Sequence, residues 1–279
     1  MKIIKTIIIY ILCSIFLLTA LYADDFLKIH FIDAGEGDSI FIQTTDNKNI
    51  LIDTGNTVTG IKIYTYLKSL KIEKIHHLII THPHADHIGG VFSLFQLFDV
   101  EHIYDNGENI SQIIKENDFY RWYNELVRND SRFKKLKRGD SLIFDNASFT
   151  VLWPKEKTFT DDWNANSLVL LLKYGGFKCL FMGDAVISTE KNLLEFKESI
   201  KAQILKAGHH GAEDTADPNF LEHVKPETVI ISINKNNIRN YPSKEVIKRY
   251  KKNGAKVYTT YEFGTIIIKA KKDGTYEII

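Results

Sequence analysis

The sequence predicts an α/β fold in which two mixed β-sheets pack face to face with helices outside, an αββα sandwich. β-rich runs at short spacing are followed by helix-periodic runs, and that order occurs twice along the chain. No repeat and no linker rich in Pro, Gly or Ser divides it, so one domain is expected. With 279 residues, 44% hydrophobic and 25% charged, the chain is long enough to bury a core and its composition argues against disorder.

The amino terminus reads separately. Lys2 and Lys5 precede an uncharged apolar run over 6–23, and Asp24-Asp25 opens polar sequence. This is the pattern of an export signal cleaved after Ala23, which would place the protein in the periplasm or outside the cell. Leu21 is larger than a signal peptidase prefers, so an uncleaved membrane anchor over residues 6–23 is the alternative. Residues 24–279 form the expected domain. Losing 1–23 removes two lysines and no acid, taking the formal charge from +1 to −1. A charge so near zero gives no global attraction to nucleic acid. Cys179 is then the sole cysteine, which excludes an intramolecular disulfide, and its apolar neighbours mark it as a buried strand residue.

Within the domain, residues 27–32, 39–44 and 49–52 read as strands punctuated by Gly35, Gly37 and Gly55. Apolar residues at 58, 61, 64, 67 and 70 predict a helix over 57–70. A strand is expected at 77–81, a helix-like segment at 91–98, and an amphipathic helix at 111–127 with Ile113, Ile114, Trp122, Leu126 and Val127 facing the core. Strands follow at 148–153, 167–174 and 177–182, then a helix over 189–196 and a strand at 202–206. Asp217-Pro218 supplies an N-cap and a first-turn proline for a helix to Val224. A strand at 228–233, a helix capped by Ser243 and three short strands complete the chain. Residues 234–256 hold eight Lys/Arg against Glu245 alone, either a solvated helix face or a basic rim that attracts phosphates.

Thr81-His82-Pro83-His84-Ala85-Asp86-His87 packs four potential metal ligands into six positions after an apolar strand. A divalent cation is the simplest partner for three imidazoles and a carboxylate in one loop. Four more loops place acids or histidines beside glycine where strands end: 33–39, 53–55, 183–185 and 208–211. Together they look like one site assembled at one end of a sandwich. The other histidines (30, 76, 77, 102, 223) lie in no such loop and read as structural, as do Trp122, Trp153 and Trp163.

The 81–87 run matches the HxHxDH signature of the metallo-β-lactamase superfamily. Leu51-Ile52-Asp53-Thr54-Gly55, Met182-Gly183-Asp184 and His209 stand in that superfamily's order. The chain is still more similar to the hydrolase-like domain of the ComEC family of competence (DNA-uptake) proteins. Phe31-Ile32-Asp33-Ala34-Gly35-Glu36-Gly37-Asp38-Ser39 resembles that family's FIDVGQGDS, and Asn164-Ala165-Asn166-Ser167, Leu205-Lys206-Ala207-Gly208-His209-His210-Gly211 and Tyr241-Pro242-Ser243 follow in its order. The resemblance covers residues 27–270 and implies the metallo-β-lactamase fold and two divalent ions, Zn or Mn. It implies His82 and His84 on the first ion, Asp86, His87 and His209 on the second, and Asp184 between them. Asp38 and Asp53 would orient those ligands. Lys206 and His210 would face a substrate phosphate, donate a proton, or simply support the structure.

Three departures qualify this. The loop that usually supplies a third histidine to the first ion is Asp161-Asp162-Trp163-Asn164-Ala165-Asn166, so Asn164 or Asn166 would offer an oxygen and that ion would be held weakly. Tyr241 stands where the family has histidine, and Ala212-Glu213 replace small hydroxyl residues. The expected activity is a metal-dependent phosphodiesterase or nuclease using a metal-bound hydroxide on an anionic substrate such as DNA. The alternatives are a hydrolase of small esters, lactones or β-lactams, and a non-catalytic module binding DNA or a cell-wall polymer. No protein partner can be read from the sequence.

Overall fold

The computed structural model describes residues 26–144, 146–155, 161–195 and 199–279; the leader-like segment 1–23 lies outside them. The first sheet has eight strands in the order β15-β14-β1-β2-β3-β4-β5-β6. These are β1 (Leu27–Phe31), β2 (Ile40–Gln43), β3 (Asn49–Ile52), β4 (Lys74–Ile79), β5 (Asp99–Asp105), β6 (Phe133–Lys135), β14 (Ile266–Ala270) and β15 (Tyr276–Ile278). The second has seven, in the order β13-β12-β11-β10-β9-β8-β7: β7 (Ser141–Ile143), β8 (Ala147–Trp153), β9 (Val169–Tyr174), β10 (Phe177–Phe181), β11 (Ile204–Lys206), β12 (Thr228–Ile231) and β13 (Lys256–Thr259).

Alternation along each strand sends one set of side chains between the sheets and the other outward. Ile29, Phe31, Ile42, Phe149, Leu170, Cys179 and Phe181 belong to the central apolar layer. The outer face of the first sheet is covered by α1 (Gly60–Ser69), α2 (Ala85–Ile88), α3 (Val91–Leu97) and α4 (Asp118–Tyr123). The second is covered by α5 (Ile187–Leu194), α6 (Pro218–Val224) and α7 (Lys244–Lys252), while α8 (Thr260–Phe263) follows β13. No helix among the described residues is long and apolar enough to cross a membrane.

The parallel strands position the site. β3, β4, β5 and β6 run parallel in one sheet, and β10, β11, β12 and β13 in the other. Parallel strands end at the same edge, so the loops after their carboxyl ends gather there. The N–H of Leu168 donates to the carbonyl of Thr81 at 2.9 Å, tying the two sheets together at that edge.

Two helix expectations change. The three-residue spacing at 58–70 found α1 but not its buried face: Val58 and Ile61 are 86% and 66% exposed, while Gly60, Ile63 and Leu67 are buried. A strict three-residue step falls behind the 3.6-residue turn, so such a set winds around the helix instead of lining one side. The 111–127 segment divides into a 3-10 turn at Ile113–Lys115, α4 and a π turn at Asn124–Arg128. Asn117 restarts the helix as an N-cap, accepting from the N–H of Phe119. That new phase buries Tyr120, Tyr123 and Val127 and leaves Trp122 and Leu126 exposed. Asp217 and Ser243 cap α6 and α7 as expected.

Candidate metal centre

Asp53, just past β3, sits in the left-handed region (φ 59°) at the bottom of the site. Its buried carboxylate accepts from the Thr81 N–H and hydroxyl, both at 2.7 Å, and lies 2.8 Å from His87 Nδ1. This turns His87 Nε2 toward Asp184, 3.3 Å from Oδ2. Asp184 follows β10 across the sandwich. Its Oδ2 is also 3.8 Å from His82 Nε2, and its Oδ1 is 3.5 Å from His210 Nε2. Asp184 therefore faces histidines from both sheets.

The electrostatics follow from this burial. Desolvation alone would lower the His87 imidazole, but Asp184 and Asp53 on either side hold it well above the ordinary histidine range. Burial would raise Asp184; His210 and His87 instead hold it well below the usual carboxylate range. Burial, reinforced by His87, pushes His82 well down. The centre thus sets buried carboxylates beside one imidazole drawn toward its charged form, His87, and one driven from it, His82, so positive charge is favoured beside Asp184.

Geometry gives the same answer. The buried atoms without a hydrogen-bond partner include three that face one another here: His87 Nε2, His210 Nε2 and Asp184 Oδ1. His82, His87 and Asp184 offer donor atoms that all lie within 4.8 Å of one another, as do Asp86, His87 and His210. Buried polar atoms left unpaired beside one another suit a divalent cation, and imidazole with carboxylate fits one of the zinc or manganese kind.

The two histidines after β11 are placed differently. His209 was expected as a ligand; in the structure it is His210 Nε2 that comes to 3.5 Å from Asp184 and 3.8 Å from Asp86, while His209 lies beside Asp214 and Asn164. Both histidines have left-handed backbone, φ 42° and 52°, which reverses the direction of successive side chains. His210 Nδ1 is held 2.8 Å from the carbonyl of Ser232, leaving Nε2 for the centre. His209 instead has Nδ1 3.3 Å from Asp214 Oδ1 and Nε2 3.2 Å from the Asn164 amide nitrogen. Sequence alone offered no signal for the Ser232 carbonyl or Asp214, because both contacts depend on the loop's path.

Lys206 does not face a substrate. It is wholly buried, ion-paired with Asp38 and donating to the carbonyl of Gly183 at 3.3 Å. Asp38 Oδ1 lies 3.8 Å from His210 Nδ1, so this pair buttresses His210 from below. His210 is equally buried, which leaves it suited to ligation and not to meeting solvent. Of the two asparagines, Asn166 is turned away, its amide donating to Glu108 Oε2 at 2.6 Å. Asn164 sits beside His209 with a buried, unpartnered Oδ1, a free oxygen near the place of the missing third histidine. His84 Nδ1 is 2.9 Å from His82 Nε2, and Trp163, expected only to pack, lies against the His84 ring at 5.4 Å.

Gly37 lets the 33–39 loop close over this centre. With φ 94° it approaches so near that a Cβ there would stand 1.9 Å from the Asp86 carbonyl oxygen. At the mouth, Arg239 Nη1 reaches within 3.5 Å of Asp86 Oδ2. The basic cluster thus splits between two hollows: Lys235 and Lys244 line one together with Arg239, whereas Lys248, Arg249 and Lys252 line another against α6.

Comparison with known proteins identifies the family and the fold. The family model described as the metallo-β-lactamase superfamily matches residues 32–233. ComE operon protein 3 of Bacillus subtilis (strain 168) is 29% identical over 269 residues, 90% of this chain and 34% of that protein. Competence protein ComA of Neisseria gonorrhoeae is 29% identical over 232 residues, 82% of this chain and 30% of the other. The chain therefore spans about a third of the length of the curated relatives it matches, and its resemblance to the ComEC competence family extends across both sheets. Among solved structures, the metallo-β-lactamase fold protein YhfI from Bacillus subtilis superposes with a TM-score of 0.56 at 14% identity, covering 88% of this chain and all of that one. Zn-bound PqqB from Methylobacterium extorquens gives 0.50 at 11% identity, over 80% and 85% of the two chains. These two show the shared fold.

Proposed function

Because this chain belongs to the metallo-β-lactamase superfamily, we propose that it is a metal-dependent phosphodiesterase acting on nucleic acid or a similar phosphodiester. The observation that carries this is the meeting of Asp184, His87 and His210, with unpartnered atoms between them, beside Arg239, which lies 3.5 Å from Asp86 and lines a hollow with Lys235 and Lys244. His82, with His84 beside it and Asn164 near, would hold one ion. Asp86, His87 and His210 would hold a second, with Asp184 shared. Zinc or manganese bound there would supply Lewis acidity and lower the pKa of a water molecule.

The protein's own residues account for the rest. Asp53 and the Ser232 carbonyl fix which nitrogens of His87 and His210 face inward, so neither ring must rotate during turnover. Asp38 and Lys206 keep His210 from withdrawing. Arg239 stands where it can take a non-bridging phosphate oxygen, the planar guanidinium matching two oxygens at once. A neutral ester or lactone would make no use of Arg239. The leader-like residues 1–23 extend the proposal to an exported enzyme, for which amino-terminal sequencing of the protein from the extracytoplasmic fraction is the check.

The enzymatic test uses the metal-loaded protein on bis(p-nitrophenyl) phosphate, single-stranded DNA, nitrocefin and a simple lactone. Turnover of the phosphodiesters, lost in Asp184→Asn, is expected. Turnover of nitrocefin or the lactone alone would replace this reading with a small-ester or lactam hydrolase. Polymer binding that survives chelation, with no turnover of any substrate, would indicate a binding module.

A further inference from the structure

The end of the sandwich opposite the metal centre is built where strands begin. β1 runs from Leu27 toward the 33–39 loop, β10 from Phe177 toward Asp184 and β11 from Ile204 toward His210, so their first residues share that far end. β14 is antiparallel to β1 and brings Ala270 there too. A strand of five residues such as β10 sets the two ends roughly 17 Å apart. Two turns meet at the far end. The N–H of Gly176 donates to the Lys272 carbonyl at 2.8 Å, and the Gln203 amide nitrogen donates to the carbonyls of Gly176 and Gly274 at 3.0 and 3.4 Å. Lys178, Lys201 and Lys225 line a hollow of about 250 Å³ on one side of this junction, with Glu227 as its acid. Lys173, paired with Lys178 across β9 and β10, and Lys256, opening β13, belong to the same end. On the other side Lys269 and Lys271 line a hollow of about 200 Å³ with Phe26 and Glu277, and Lys272 lies on the turn between. These eight lysines face Glu227, Asp273 and Glu277, and Asp24 and Asp25 precede Phe26, so positive charge is in excess by three.

We propose that this far end is a membrane-facing surface, its lysines set against the phosphates of anionic phospholipid while the metal centre points away from the bilayer. The lysines come from strand starts and turns of both sheets and form a broad face, which suits many headgroups better than one ligand. Their long stems carry the charge outward past apolar surface. Phe26 supplies such surface, its ring centroid 5.8 and 5.4 Å from the ammonium groups of Lys269 and Lys271, as aromatic residues do at a membrane interface. The uncharged apolar run 6–23, about the length of a short span, joins the domain at this same end. It would bring the face within a Debye length of the headgroups, where each lysine adds attraction. This placement holds whatever the centre hydrolyses.

The test is acetylation of lysines in the full chain reconstituted with vesicles, read peptide by peptide in a mass spectrometer. One set of vesicles is equimolar phosphatidylglycerol and phosphatidylcholine, the other phosphatidylcholine alone. At low salt the anionic set should slow acetylation of Lys178, Lys201, Lys225 and Lys271 at least about threefold relative to the neutral set. Lys62, Lys235 and Lys244, at the end that carries the metal centre, should react equally in both. Raising salt to about 1 M, where the Debye length falls to about 3 Å, should erase the difference. Replacing Lys178→Gln, Lys201→Gln and Lys225→Gln together should cut the protection of Lys271 and Lys272 to less than about half. The charge-matched control Lys62→Gln, Lys235→Gln and Lys244→Gln should leave that protection unchanged. Circular dichroism melts establish that both variants fold. Equal acetylation of the far-end lysines in the two vesicle types, or protection centred on Lys62, Lys235 and Lys244, would overturn the proposal. So would protection by soluble polyphosphate with none by anionic vesicles, which would assign the lysines to a dissolved polyanion.

Discussion

Adjacent histidines 209 and 210 divide two roles between them, and substitution separates them. His210→Ala should reduce the metal content of the purified protein by about one ion per chain, because it removes a buried, preoriented Nε2. His209→Ala should keep the full complement, since its ring is engaged by Asp214 and Asn164. Elemental analysis decides, and the reverse pattern would return the ligand role to His209. Lys206 makes a second residue-level prediction. Lys206→Met leaves the Asp38 carboxylate buried without its partner and should cost about 3–5 kcal/mol in urea denaturation of the metal-free protein. The double variant with Asp38→Leu should be destabilised less than Lys206→Met alone; an equal or greater loss would show that packing of the lysine stem matters more than its charge. The HxHxDH run and its acids were legible because ligand chemistry allows few residue types at fixed spacing. Which of two neighbouring histidines turns inward was not, since that follows from two left-handed φ angles and a distant carbonyl.

At the level of elements, α1 separates periodicity from burial. Ile61→Lys should change stability by no more than about 0.5 kcal/mol, because the side chain already faces solvent. Ile63→Ala should cost about 2–5 kcal/mol through lost burial and the cavity left behind. Thermal or chemical denaturation of the pair measures the contrast, and equal losses would restore the three-residue stripe as the core face. Caps were legible at Asp217 and Ser243, where the side chain acts on its own next turn. The interruption near Asn117 was missed because the surrounding residues 111–127 still suit a continuous helix, and only the packing of Tyr120 and Tyr123 against the first sheet chooses the broken form. β5, absent from the sequence reading, is a strand because β4 and β6 pair with it on either side.

For the molecule as a whole, stability should fall on both sides of mildly acidic pH. Burial pushes His30 and His77 down from 6.5 to about 4. The unfolded chain therefore takes up protons before the folded one as pH drops through that interval, and stability declines with it. Burial of Glu190, whose carboxylate accepts from the N–H groups of Ala216 and Asp217, raises it from 4.5 to about 7. There the folded state holds the proton longer, so stability declines as pH rises from 4.5 through 7. Urea midpoints of the chelated protein across pH 4 to 8 test this. Glu190→Gln should flatten the upper side at the expense of one N–H bond, about 1 kcal/mol; an unchanged slope would remove Glu190 as its source.

By itself the sequence determined the layered α/β class, the family signature and the set of residue types from which a metal centre is built. Hydrophobic periodicity and ligand spacing act over a few residues and survive in the linear order. Only the tertiary structure decided that His210 Nε2 comes to Asp184 while His209 lies beside Asp214 and Asn164, that Lys206 is buried under the site, and that Lys235, Arg239 and Lys244 line one hollow while Lys248, Arg249 and Lys252 line another. Each of these depends on side chains brought together from both sheets, and nothing in the local chain dictates which atoms will meet across that gap.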